Sequence, residues 1–249
     1  MKKVLLVIVM LSLSACTVQE DVVVSSIPAT TYLAENVYPN TTVHTVSQKP
    51  FESLDRNQRD LVRSATVFIG HGYEDYVDLL ETEQRYFLQD HEPDVQEDTV
   101  LDVEQSRYNW LNPLTIRRLG IELGIPQETQ DELARIHNTF TNQTRGCSNT
   151  ALSISSTPSH LLSEQDITIT SLYGDEETVA SPSQLTSFTE TSSDYENIIH
   201  VEGFSYRTTQ QIANRANIDI QRVNTTVTNN YVEDIQRIQT DIIQGLRCN

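Results

Sequence analysis

The stretch YNWLNPLTIRRLGIELGI, residues 108–125, is the densest apolar segment after the first sixteen residues of this 249-residue chain. It contains Trp110, the only tryptophan, and large apolar side chains of this kind dominate protein cores. We therefore expect this stretch to lie at the centre of the core. Gly124 suits a helix C-terminus and Pro126 suits the first turn of a following helix, so we predict two helices separated by a bend.

Residues 50–147, which include this stretch, have a helical pattern. Apolar side chains recur on one helical face from Leu54 to Ile69, and again from Tyr73 to Leu88. Gly70 lies between the two runs, so we predict a helical hairpin at this point. Residues 50–147 are accordingly expected to form a helical domain.

Residues 148–207 are rich in Ser and Thr and have a strand-like pattern. Residues 166–172 alternate apolar and polar side chains, as a half-buried strand does. Residues 151–154 and 198–206 are predicted to form two further strands. We interpret this segment as a small β-rich insertion.

Residues 208–249 are predicted to form a C-terminal helix that packs on the helical domain. Apolar residues recur at helical spacing from Ile220 to Leu246. Core packing is one interpretation of this face, and an interaction seam with a partner or with a second copy in a homo-oligomer is the other. The seam residues would be Val227, Tyr231, Ile235, Ile238 and Ile242. Residues 220–230 also align without gaps on residues 133–143, which indicates either a degenerate helical repeat or a coincidence.

These patterns together predict an α+β fold that is mainly helical. It consists of a helical bundle-like domain, a small β-rich insertion and a long C-terminal helix. Residues 16–49 lack helical periodicity and contain prolines, so we interpret them as a lipidated N-terminus and tether. Short strands at residues 22–24 and 42–46 that join a sheet are the alternative.

Residues 1–15 have the layout of a secretory signal peptide, with Lys2 and Lys3 before an apolar run. That run is much shorter than the ~20 residues that span a bilayer. The tetrapeptide Leu13-Ser14-Ala15-Cys16 resembles the lipobox of bacterial lipoproteins. The resemblance implies cleavage before Cys16, acylation of that residue with fatty acids such as palmitate, and anchoring in a membrane.

Thr17 follows Cys16, where the same resemblance associates Asp with retention in the inner membrane. It therefore implies an anchor in the outer membrane, with the periplasmic face favoured over the cell surface. A plasma-membrane anchor in a Gram-positive host is the alternative.

The chain is strongly acidic. Loss of Lys2 and Lys3 with the signal lowers the basic residues from 17 to 15, against 35 acidic residues. Proteins that bind nucleic acid present basic patches, so this balance excludes nucleic acid as a partner. It also disfavours binding of the protein surface to anionic lipid, so the N-terminal lipid is expected to provide the contact with the membrane.

The cysteine count becomes even once Cys16 carries lipid. Cys147 and Cys248 then remain in an oxidising compartment, and we predict a disulfide between them. Two free thiols are the alternative.

The sequence contains no nucleophile elbow, zinc-protease, Walker or dinucleotide-binding motif. The histidines have no metal-ligand spacing, so we predict no metal and no cofactor. His71, between Gly70 and Gly72, is interpreted as a loop residue. An enzyme is not favoured, although residues far apart in sequence can still assemble a catalytic site.

The lipid anchor, the apolar seam and the lack of motifs lead to a functional prediction. We expect an outer-membrane-anchored, non-enzymatic scaffold or binding component of a cell-envelope assembly, with an envelope protein as partner. One alternative is a surface-exposed lipoprotein that binds an external partner through residues 148–207. The other is a periplasmic hydrolase.

Overall fold

The structure is a computed structural model that describes residues 21–48, 52–91, 108–147, 150–162, 167–173, 180–228 and 230–246. Within these ranges the chain forms two four-stranded sheets in which all neighbouring strands are parallel. Parallel strands need crossover connections, and most of these connections contain a helix. The architecture is therefore α/β. The prediction of a mainly helical, bundle-like α+β fold is wrong.

The first sheet is built from the amino-terminal part of the chain. Its strands are β1 (Val23–Ser25), β2 (Val43–Thr45), β3 (Val67–Gly70) and β4 (Arg85–Phe87). Their order in the sheet is β2-β1-β3-β4. Helices α1 (Pro28–Val37) and α2 (Arg56–Ser64) connect the first three strands. Short 3-10 helices, Val77–Leu79 and Leu88–His91, flank β4.

Helices α3 (Pro113–Leu123) and α4 (Gln127–Thr144) lie between the two sheets in sequence. The predicted bend between them is confirmed: Gly124 ends α3 in the left-handed region, with φ of +80°. Trp110 is buried, as expected, and belongs to an apolar core that contains residues of both sheets.

The second sheet repeats the arrangement of the first. Its strands are β5 (Thr150–Ser155), β6 (Thr168–Tyr173), β7 (Asn197–Val201) and β8 (Asp219–Val223), in the order β6-β5-β7-β8. Its helices are α5 (Ser159–Leu162), α6 (Pro182–Ser192), α7 (Tyr206–Ala216) and α8 (Tyr231–Gly245).

The predicted helical hairpin is wrong because a buried strand resembles part of a helix in sequence. Helix α2 ends at Ser64, and residues 67–70 are β3, buried along its whole length. A parallel strand covered on both faces is a continuous apolar run, which periodicity cannot distinguish from a buried helix segment. In place of the second predicted helix lie a 3-10 turn and β4.

Three further segments differ from the prediction. Residues 21–48 are not a tether, because β1, α1 and β2 lie there. The alternative prediction, of short strands at residues 22–24 and 42–46 that join a sheet, describes the structure. Residues 148–207 contribute three strands of the second sheet and are no insertion. Residues 219–223 form β8, so the proposed helical repeat of residues 133–143 does not exist and the last helix begins only at Tyr231.

The apolar seam of α8 lies inside the chain. Its five residues, from Val227 to Ile242, are each at most 5% exposed. The helix packs on β7, β8 and α4. The core-packing interpretation of this face therefore describes the structure, and the seam is covered. Among the described helices, none has the length and apolar character needed to cross a membrane.

Candidate functional site

Both sheets have the same strand order, and this order creates a crevice in each. In the first sheet the chain leaves β1 for β2 on one side and leaves β3 for β4 on the other. In the second sheet β5 and β7 are related in the same way. Open α/β sheets bind ligands outside the carboxyl ends of the strands, at such a switch point. We call the residues at the carboxyl ends of the two sheets the first edge and the second edge.

The first edge contains a network of buried hydroxyl groups. Ser25 Oγ lies 2.7 Å from Thr30 Oγ1 and accepts a hydrogen bond from Thr31 Oγ1 at 2.9 Å. Ser26 Oγ accepts a hydrogen bond from the backbone N–H of His71 at 3.0 Å. This last bond joins the end of β1 to the end of β3. The network therefore fixes the two sides of the crevice relative to each other.

Glu74 closes the turn that follows β3. Its carboxylate oxygens accept hydrogen bonds from the backbone N–H groups of His71, at 2.8 Å, and Gly72, at 2.6 Å. Glu74 is only 5% exposed. Gly72 has a φ of +106°, and a Cβ there would lie 2.5 Å from the side chain of Gln89. A buried carboxylate with two donors holds this turn in one conformation.

At the second edge, hydrogen bonds between neutral groups hold the turn that follows β5. Ser155 Oγ donates a hydrogen bond to Thr157 Oγ1 at 3.1 Å, just after β5. The backbone N–H of Ser156 donates to the carbonyl of Tyr173 at 3.1 Å, which ties the end of β5 to the end of β6. After β7, Gly203 has a φ of +108°, with open space where a Cβ would lie.

The two edges carry the same short motifs at the same places. Ser25-Ser26-Ile27-Pro28 begins at the last residue of β1, and Ser155-Ser156-Thr157-Pro158 begins at the last residue of β5. A positive-φ glycine and an aromatic residue follow the third strand of each sheet, as Gly72-Tyr73 and Gly203-Phe204. The repeated Ser-Ser-x-Pro is the signal in the sequence that locates both crevices.

Aromatic residues on elements that leave the two edges contact each other. Tyr32 in α1 stacks on Tyr231 in α8, with ring centroids 5.4 Å apart. The Tyr231 hydroxyl donates a hydrogen bond to the carbonyl of Trp110 at 2.9 Å. Tyr108 contacts His160, which follows β5, at 5.8 Å between ring centroids. The Tyr32–Tyr231 contact therefore joins helices that follow β1 and β8, and Tyr108 and Trp110, from the segment before α3, pack beside the second half of the chain.

Burial changes the acidity of the two stacked tyrosines. It raises the pKa of Tyr231 well above its usual value of 10.0. Burial and the nearby Glu132 carboxylate raise the pKa of Tyr32 to about 12. Both hydroxyl groups therefore stay protonated at physiological pH and can serve as hydrogen-bond donors.

The carboxyl end of β8 borders a polar groove. Arg237 donates hydrogen bonds to the carbonyls of Asn224, at 2.6 Å, and Thr226, at 2.8 Å, and also pairs with Asp234. Burial raises the pKa of Asp234, but hydrogen bonds from Thr228 and Arg237 outweigh it, and the net pKa is lowered. These groups satisfy one another and brace the loop before α8.

Two of the site residues predicted from the sequence lie outside the described residues. Lipidation of Cys16 therefore stays a prediction. Cys147 follows α4 and Cys248 lies outside the described residues, so the disulfide between them also stays a prediction. The described histidines, cysteines, aspartates and glutamates include no group of three or more that could hold a metal ion. The prediction that the chain is not an enzyme is not tested.

No family model matches the chain, and no curated protein matches it. Solved structures do match. Laminin binding protein Lmb of Streptococcus agalactiae, described as bifunctional with adhesin and metal transporting activity, has a TM-score of 0.73 and 13% identity over 90% of this chain and 98% of that chain. A zinc-bound deletion mutant of ZnuA has a TM-score of 0.73 and 12% identity, with 91% and 98% covered. Periplasmic zinc binding protein TroA from Treponema pallidum has a TM-score of 0.72 and 9% identity, with 90% and 98% covered.

At these identities the similarity establishes the fold. The fold has two parallel sheets in place of a helical bundle, and the apolar seam is buried. The prediction of a non-enzymatic scaffold of an envelope assembly rested on both features and is wrong. The separate β-rich segment on which the alternative of a surface lipoprotein rested is absent, because the strands within residues 148–207 belong to the second sheet. An outer-membrane location is not supported by the matches either; the TroA match is described as periplasmic.

Proposed function

We propose that this chain is an exported, lipid-anchored solute-binding protein that holds a small solute between its two edges and delivers it to a membrane transport system. The observation that carries the proposal is the pairing of two equivalent switch points. Each has a Ser-Ser-x-Pro turn after one strand and a glycine-aromatic pair after the other.

The topology supports a site at this place. A switch point offers backbone groups and loop side chains outside the strand ends, and two such edges in one chain make a cleft with two walls. The stacking of Tyr32 in α1 on Tyr231 in α8 joins the elements that follow β1 and β8. A solute between them would contact residues from both halves of the chain.

The sequence supports an extracytoplasmic location. The lipobox-like tetrapeptide that ends at Cys16 implies export and a lipid anchor, although not which membrane holds it. Structures of similar fold belong to proteins described as periplasmic or as having metal transporting activity. Transport is therefore the process in which we place this chain, with a membrane transport complex as its partner.

Native mass spectrometry of the full chain, extracted from membranes in mild detergent, tests this function. We expect the wild-type protein to carry one small-molecule or ion adduct. Ser156→Trp, which places a large ring at the end of β5, should abolish the adduct. Ile121→Trp is the matched control, because Ile121 is 46% exposed on α3, and it should retain the adduct.

The proposal would be overturned by a wild-type spectrum that contains only the bare lipidated chain. Loss of the adduct in both tryptophan variants would place the solute elsewhere, and would count against a site between the edges.

A further inference from the structure

Helix α2 presents a row of arginines to solvent, although the chain as a whole is acidic. Arg56, Arg59 and Arg63 recur at spacings of three and four residues, so they share one face of the helix. All three are exposed. We call these three residues the arginine face. No other described helix contains more than two lysine or arginine residues.

A shallow depression lies along the arginine face. Its volume is about 480 Å³, and it is lined by the three arginines together with Leu54 and Asp60. Arg59 Nε donates a hydrogen bond to the Leu54 carbonyl at 3.1 Å. Asp60 lies 3.0 Å from Arg63 and 3.9 Å from Arg56. One carboxylate therefore stands against three guanidinium groups, and the arginine face keeps a net positive charge.

Two further carboxylates near the amino end of α2 are held by the surrounding chain. Asp55 is the N-cap of the helix and accepts the N–H of Gln58 at 2.9 Å. Glu52 accepts a hydrogen bond from the hydroxyl of Ser47 at 2.9 Å. These two acids stabilise the turn that leads into α2, and Asp60 is the acid within the arginine face itself.

Helix α2 covers the side of the first sheet that faces away from the second half of the chain. Val62 of α2 shares an apolar cluster with Val24 and Phe68, and the buried members of this cluster all come from the first half of the chain. Val23 and Ile69 point to the opposite face of the sheet, because side chains alternate along a strand, and they belong to the core that contains residues of both sheets. The arginine face is therefore on the outer side of the first sheet.

The predicted lipid anchor is connected to the same part of the molecule. The carbonyl of Val22, just before β1, accepts the N–H of Thr66 at 2.9 Å, and Thr66 lies three residues after Arg63. Cys16 lies six residues before Val22, and six residues span at most about 20 Å. A lipid on Cys16 would therefore hold the arginine face close to the membrane surface.

We propose, on the basis of the lipid anchor in the function above, that the arginine face binds the phosphate groups of anionic phospholipids in the membrane that holds Cys16. Guanidinium groups form paired hydrogen bonds with phosphate oxygens, and anionic lipid attracts basic side chains near its surface. The acyl chains attach the protein, and the arginine face determines which side rests on the bilayer. The acidic remainder of the surface is repelled by the same lipid, which favours this one orientation.

Modification of arginines by phenylglyoxal, measured at each residue by mass spectrometry, tests this inference. The full lipidated chain is reconstituted in vesicles of phosphatidylcholine alone, or of phosphatidylcholine and phosphatidylglycerol in equal amounts. We expect Arg59 and Arg63 to react several-fold more slowly in the anionic vesicles, and high salt to remove the difference. Arg135 is the internal control, because it is exposed on α4 and lies 3.7 Å from Glu132 as Arg63 lies beside Asp60. It should react at the same rate in both vesicles.

A double variant separates the arginine face from other causes of protection. In Arg56→Gln with Arg63→Gln, the remaining Arg59 should react equally fast in the two kinds of vesicle. Arg135→Gln is the matched control and should keep the protection of α2. Circular dichroism spectra close to that of the wild type show that the variants are folded.

Equal rates for α2 of the wild type in the two kinds of vesicle would overturn the inference. Equal slowing of Arg135 would overturn it too, because the protein would then lie on the lipid without a preferred side. The mass of the amino-terminal peptide reports the acyl chains, so a missing anchor, which would overturn both proposals, is distinguished from an arginine face that does not bind lipid. In the latter case the solute adduct would remain.

Discussion

The first and second edges have the same topology and the same motifs, but they stabilise their turns differently. After β3, the buried Glu74 carboxylate accepts the backbone N–H groups of His71 and Gly72. At the equivalent place after β7 stands Ser205, whose hydroxyl accepts the N–H of Thr208 at the start of α7. One turn is closed by a charged group inside the protein, whereas the other is capped by a neutral group near the surface.

This difference indicates a division of roles between the edges. A buried, charge-assisted turn has one conformation and costs much free energy to disturb. A neutral N-cap near the surface can be replaced with a smaller loss in the free energy of unfolding. We therefore expect the first edge to behave as a rigid wall, and the second edge to be the wall whose residues can change with little loss of stability.

Glu74→Ala should have the largest effect. It removes a charged acceptor from the buried N–H of His71, which keeps Ser26 Oγ as a second acceptor, and from the half-buried N–H of Gly72, and we expect the free energy of unfolding to fall by ~3 kcal/mol. Ser205→Ala removes an N-cap, and a loss of ~1 kcal/mol is expected. Urea denaturation followed by Trp110 fluorescence measures both. Equal losses in the two variants would contradict the proposed division of roles.

Alanine substitutions at Gly72 and Gly203, the positive-φ glycines of the two edges, should again destabilise the first edge more than the second. Gly72→Ala forces a Cβ to within 2.5 Å of Gln89 and adds strain at a φ of +106°, so we expect a loss of ~2 to 3 kcal/mol. Gly203→Ala adds strain at a similar φ, but its Cβ meets nothing within 4 Å, so about 1 kcal/mol is expected. The melting temperatures of the two variants test this order, and a lower value for Gly203→Ala would reverse it.

The sequence predicted those parts of the fold that depend on local chemistry. The left-handed glycine at Gly124 produced the bend between α3 and α4 where the pattern placed it. Alternation and β-branched residues predicted strands close to β5, β6 and β7. These features are fixed by residues that are neighbours in the chain, so a short window of sequence contains the physical reason for them.

The sheets and the site could not be recovered in the same way. Residues 67–70 of β3 are apolar because both faces are buried, and only their pairing with β1 and β4 distinguishes them from a helix turn. The crevices combine residues far apart in sequence, such as Ser26 and His71, which meet only when β1 and β3 pair. The two Ser-Ser-x-Pro turns became meaningful once the strands before them were known to be equivalent.

Alkaline pH should weaken the contact that joins the two halves of the chain. Tyr231 has a folded-state pKa raised well above 10 by burial, so the folded chain keeps the proton that the unfolded chain loses near pH 10. Its contribution is therefore complete below pH 10 and falls as the pH rises toward the folded pKa, by up to about 1.4 kcal/mol per pH unit. Urea midpoints measured from pH 8 to 11 should show this decline, and it should be shallower in Tyr231→Phe.

Tyr231→Phe at neutral pH should have a small effect, similar to that of Ser205→Ala. The substitution keeps the ring that stacks on Tyr32 and removes only the hydrogen bond to the carbonyl of Trp110, so the free energy of unfolding should fall by about 1 kcal/mol. This bond lies outside both edge turns. The free energy of unfolding lost in Glu74→Ala, and that lost in Ser205→Ala, should therefore be the same in the Tyr231→Phe background as in the wild type. Additive losses in the double mutants would establish that the edges are stabilised independently of the tyrosine contact. A coupling energy above ~1 kcal/mol with Glu74→Ala would instead mean that the rigidity of the first edge depends on its contact with the second half of the chain.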